Sequence, residues 1–262
     1  MNLKSPSEPS TYSRIYSRIF IEVFVDSIKS NHLPVKYLIH FTNSFPKLCS
    51  IVESSSLLLK YCQEDFYFGQ EKVSRAAHPM VCFSKHDINE LSKLKITYGK
   101  YGIAFFDEWA IKNRIHQVSY FDKESVLAEA LSKLLSARRN IDSNLPPNLR
   151  LPIMQLKCFT KNARCYNSSL KAQDFNFAEE NEWRFVPKKK DIGNGLLSQN
   201  RSTYLQNKEA HNRKLLPYPL RFKKKDISNI FVSTNEELNA LEVKGFSSDV
   251  VSLSTWTIKT YV

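Results

Sequence analysis

Tyr37-Leu-Ile-His-Phe-Thr42 is a short apolar run with one histidine inside it. Turn formers bound it, Asn31 to Pro34 before and Asn43-Ser44 after, so it reads as a buried strand. Phe45 to Leu59 follows with helical spacing. Asn43 or Ser44 stands where a cap belongs and Pro46 falls in the first turn.

The rest of the chain repeats this alternation. Strands are expected at 57–61, 79–84, 103–106, 118–121, 180–186, 215–222, 227–232, 250–253 and 256–262. Helices are expected at 14–30, 108–114, 123–137 and 235–242, and a helix or turn at 85–95. Residues 62–79 and 193–214 read as loops, the second long enough to be mobile. Residues 140–152 read as a linker, and 152–159 fit either a strand or a helix. Many short strands with interspersed helices define an α+β protein. The expected organisation is an N-terminal tail and helix over 1–34 and a single domain over 35–262.

Composition narrows the function. Among 262 residues there are only 6 Gly, and neither a G-x-G-x-x-G nor a Walker loop occurs. The net charge is +12 and uneven. Residues 1–131 hold 16 Lys/Arg against 14 Asp/Glu, and residues 132–262 hold 22 against 12, net +10. A basic half attracts polyanions, nucleic acid first among them. Cys49, Cys62, Cys82, Cys158 and Cys165 have no C-x-x-C spacing, which argues for free thiols in a cytoplasmic protein and against zinc. Residues 14–28 are apolar but interrupted by Arg18, Glu22 and Asp26, so neither a secretory core nor a membrane span is expected.

Two groups carry candidate chemistry. His40, on its strand, has the ring to hold a ribose hydroxyl, with Thr42 steadying the next turn. The plainer alternative is a core histidine donating to a carbonyl. Glu180 and Glu182 are two apart in an expected strand, hence on one face. One carboxylate would stabilise a ribosyl cation and the other accept a proton. The alternative pairs Glu182 with Arg184. Ser84 ends its strand and would orient the carboxylate, Tyr98 and Tyr101 would stack on a nicotinamide, and Trp183 and Phe185 would pack inward.

Leu38-Ile-His-Phe-Thr42, Met80-Val-Cys-Phe-Ser84, Tyr98-Gly-Lys-Tyr-Gly-Ile103 and Glu180-Asn-Glu-Trp-Arg184 occur in an order that resembles bacterial abortive-infection proteins of the AbiGi type, across about residues 35–235. The same order is similar to the wider ADP-ribosyltransferase fold. That resemblance implies two small mixed or antiparallel sheets forming an NAD cleft, with helices around them. It implies NAD+ as substrate, His40, Thr42 and Ser84 at the cofactor, Glu182 as the catalytic carboxylate and Glu180 as activator of the target. The expected activity is an NAD-dependent ADP-ribosyltransferase toxin of phage defence. It would modify nucleic acid, RNA ahead of DNA, and be held in check by a neutralising antitoxin. The alternative is a non-enzymatic antitoxin or RNA-binding module on a degenerate version of the fold.

Overall fold

The computed structural model describes residues 36–167, 170–193 and 195–259. Lys36–Val262 is one compact unit. The helix expected at 14–30 lies outside the described residues.

A mixed sheet organises the chain. Its strands are β1 (Lys36–Thr42), β2 (Lys60–Phe68), β3 (Glu71–Asp87), β4 (Tyr101–Phe105), β5 (His116–Gln117), β6 (Glu182–Phe185), β7 (Gln199–Asn200), β8 (Ile227–Val232) and β9 (Val251–Leu253). The order is β9-β8-β4-β1-β3-β6-β5, with β2 and β7 also on β3. Only β8 and β9 run parallel; the other neighbours are antiparallel. The helices are α1 (Phe45–Ser54), α2 (Asp107–Lys112), α3 (Val126–Arg139), α4 (Pro147–Cys158), α5 (Arg201–Gln206), α6 (Lys208–Arg213) and α7 (Asn235–Val243). The α+β class is as expected. The 17-residue β3 pairs with β2 and β7 through its first half and with β1 and β6 through its second, so it is shared by two sets of strands.

Side chains alternate across that sheet with a period of two. Leu38, Ile103, Phe105, Phe83 and Ile230 enter the larger core, roofed by Leu48 and Val52 of α1 and Trp109 of α2. Ile39, Phe41, Ala104 and Phe231 enter a second core on the other side with Leu91, Ile96 and Trp256. The turn before β4 depends on Gly99. Its φ is +135°, and a Cβ there would lie 2.1 Å from the Thr42 carbonyl oxygen, so only glycine fits.

Four stretches differ from the sequence expectation. Residues 62–79 are the β2–β3 hairpin, turned at Gly69 with φ +55°. Buried Glu64 and His78 sit at inward positions of it and hide the apolar alternation. Residues 147–158 are α4, with Pro147 in the first turn, where its missing N–H costs nothing. Residues 193–214 contain β7, α5 and α6, fixed by buried Tyr204 and, just beyond, Leu215. Within 215–222, strand geometry is confined to Leu220–Arg221.

Candidate functional site

The strand registers separate the expected site residues. Ser84 lies opposite Ile39 on one side and Glu182 on the other. These three therefore share the face of the second core. His40 lies opposite Ile103, and Thr42 opposite Tyr101, so these four side chains point to the opposite face. His40 and Glu182 do not line a shared pocket.

On its own face His40 behaves as a structural residue. Its Nδ1–H donates to the Cys82 carbonyl at 2.9 Å, and its ring meets Phe83 edge-on at 5.7 Å. Burial lowers its pKa, with the Lys60 charge acting the same way, so the ring is held neutral. Thr42 is buried. The Tyr101 hydroxyl donates to Glu237 of α7 at 2.8 Å, directed to the helix and not into a cleft.

The other face holds a closed ionic cluster. Glu182 is 4% exposed and Arg184 is 0% exposed. Arg184 grips Glu182 in a fork, Nε to Oε1 at 2.8 Å and Nη2 to Oε2 at 2.9 Å. Its remaining donors reach Glu64 at 2.9 Å and the Cys158 carbonyl at 2.6 Å. Lys161 adds bonds to Glu182 at 3.2 Å and Glu180 at 2.8 Å, and its ammonium lies over the Phe177 ring. Tyr120 accepts from the Glu182 backbone N–H at 2.9 Å. Burial opposes ionisation of Glu182, but Arg184 and Lys161 outweigh it and hold the carboxyl far below the usual carboxylate range. Lys161 is half-buried, and Glu182 and Glu180 push its pKa up against the cost of desolvation. Nearby Lys157 has only carbonyl support, from Glu64 at 2.6 Å, and burial lowers it to about 8.

Glu180 does not share a strand with Glu182. It belongs to the 3₁₀ turn Phe177–Glu180, and Asn181 follows with φ 40°. That left-handed residue breaks the period of two, and Lys161 brings the two carboxylates together instead. Trp183 and Phe185 pack on the larger core, as expected.

Glu180 and Tyr98 line a cavity of about 410 Å³ with Tyr67, Asn162, Phe177 and Arg201. Ser84 lines an adjoining small recess with Tyr98 and Glu180. His40, Thr42 and Tyr101 line neither. Tyr98 is 44% exposed overall, but burial of its hydroxyl end and the Glu180 and Glu182 charges push the phenol's pKa well up. The cavity's cations are already committed: Lys72 and Arg201 both bind Asp65 at 2.7 Å. Among the described residues no group of three His, Cys, Asp or Glu side chains is placed to hold a metal ion. No helix among them is long and apolar enough to cross a membrane.

Arg184 was legible in the sequence as a partner for Glu182. Lys161 and Glu64 were not, because they stand 21 and 120 residues away from the groups they bind. No local spacing marks such pairs.

Comparison with known proteins gives two matches. Residues 55–233 match a family described as abortive phage resistance protein AbiGi, antitoxin, the role being one proposed for the family. The "Abortive phage resistance protein AbiGi" of Lactococcus lactis subsp. cremoris is 25% identical over 126 residues, which cover 42% of this chain and 51% of that protein. The chain thus spans about half the length of that relative. No solved structure matches. The family description corrects the expectation of an NAD-dependent transferase toxin, since an antitoxin restrains a toxin.

Proposed function

From the premise that the chain belongs to the AbiGi family of abortive phage resistance proteins, we propose that it is a non-enzymatic antitoxin that neutralises a toxin partner in the cytoplasm. One observation carries this reading. Glu182, the carboxylate a transferase of this pattern would present to a developing cation, is buried and bound on both oxygens by Arg184 and Lys161. A carboxylate so neutralised has little charge left for a substrate, and it is almost wholly shielded from water. The separation of His40 from Glu182 supports the same view.

In this reading the ordered motifs are the residue of an ADP-ribosyltransferase-like fold whose carboxylates are closed off by the chain's own cations. The basic C-terminal half belongs to the reading as a contact for nucleic acid, RNA ahead of DNA. Expression of the chain alone tests it. Growth should be unaffected, and Glu182→Gln should change nothing. Growth arrest by the wild-type chain, relieved by Glu182→Gln, would overturn it.

A further inference from the structure

Charge in this molecule is concentrated on one stretch. Residues 186–225 carry eleven Lys/Arg against two Asp/Glu, net +9, within a chain of net +12. Both acids are engaged inside the stretch. Asp191 accepts from the Lys188 backbone N–H at 3.2 Å, and Glu209 pairs with Arg213 at 2.8 Å. Lys189, Lys190, Lys208, Lys214, Lys223 and Lys225 are exposed and make no ion pair among the described residues.

The stretch is held as a layer over residues 55–61. The Tyr61 backbone N–H donates to Asn212 at 2.9 Å and the Tyr61 hydroxyl to the Leu196 carbonyl at 2.7 Å. Leu220 pairs with Leu57, and the Phe222 N–H donates to the Ser55 carbonyl at 3.1 Å. Ile192, Tyr204 and Leu215 point into the larger core. The apolar side chains anchor the layer, and the lysines are left outward.

We infer that this layer, residues 186–225, is a binding surface for the phosphodiester backbone of nucleic acid. The inference rests on the nucleic-acid part of the reading above and gives it a location. Crowded like charges repel one another, and a polyanion relieves that repulsion. The residue type selects the polyanion. Lysine is depleted from protein–protein interfaces, whereas flexible ammonium groups suit phosphates met at varied positions.

The test is fluorescence anisotropy of the full chain with a short labelled single-stranded RNA over a range of KCl concentrations. Wild-type affinity should fall with salt, by a log–log slope of about −0.7 for each phosphate neutralised. Replacing Lys189, Lys190, Lys223 and Lys225 by Glu should weaken binding about tenfold or more and flatten that slope. The same four changed to Gln should give a smaller loss in the same direction. Lys93→Glu, next to the opposite core, should leave binding unchanged. If wild type does not bind RNA or DNA of the same sequence, the nucleic-acid reading itself fails. If wild type binds and the four-site variants bind equally well while still folded, the location fails. If polyglutamate of matched charge competes as well as RNA, the surface is one for an acidic protein and the inference is overturned.

Discussion

The two faces of the central sheet use polar groups in opposite ways. On the His40 face a single neutral, half-buried ring meets Phe83 edge-on, and Phe83 in turn packs edge-on against Phe105 and Trp109. On the Glu182 face, a guanidinium, an ammonium and three carboxylates neutralise one another in a region shielded from water. The first face is stabilised by area removed from water. The second adds to its own apolar core an ionic cluster that stabilises only as long as every charge keeps its partner. Side chains one residue apart on a strand belong to different environments, so motifs that follow one another in sequence need not converge on one site.

Breaking the ionic face should have the largest effect. Arg184→Met strands Glu182 and Glu64 in the interior and should cost about 3–5 kcal/mol in urea unfolding. The triple change Arg184→Met, Glu182→Met and Glu64→Leu should recover much of that loss. A single change as harmless as the triple would remove the cluster's structural role.

Acid should have the next largest effect. Burial lowers the pKa of His86 to about 4, and its Nε2 has no partner. The unfolded chain protonates this ring below about 6.5, the folded chain not until about 4. Between those values the unfolded state binds more protons, so stability falls as pH falls, by about 2–3 kcal/mol. Glu182 extends the decline: its depressed pKa contributes stability above about 4.5 that is lost as pH drops further. Unfolding curves at stepped pH measure this; His78, lowered to about 3, and His40, also lowered, act in the same direction, so His86→Phe should shrink the upper part of the decline without abolishing it.

Glu182→Gln keeps the shape but loses a charge-assisted fork, and should cost about 2 kcal/mol. His40→Gln removes one donor to the Cys82 carbonyl and should cost about 1 kcal/mol. An effect of His40→Gln on stability equal to that of Arg184→Met would erase the distinction between the faces.

Much of the fold was legible where a segment's own pattern was strong. The strand at 36–42 and the helices beginning at Phe45, Val126 and Asn235 follow from apolar spacing and caps; Thr234 and Glu237 form a capping box at α7. The β2–β3 hairpin was illegible because Glu64 and His78 occupy buried positions. Glu180 was assigned to a strand because the one mark of the break, an asparagine that tolerates the left-handed region, sits within an otherwise alternating pattern.

By itself the sequence determined the α+β class, the placement of charge and the order of the motifs, since each depends on residues close together in the chain. Only the tertiary structure decided that His40 and Glu182 are separated by the sheet and that Glu182 is neutralised by Arg184 and Lys161. Register across strands and the pairing of distant charges arise from long-range packing, which no short stretch of sequence encodes.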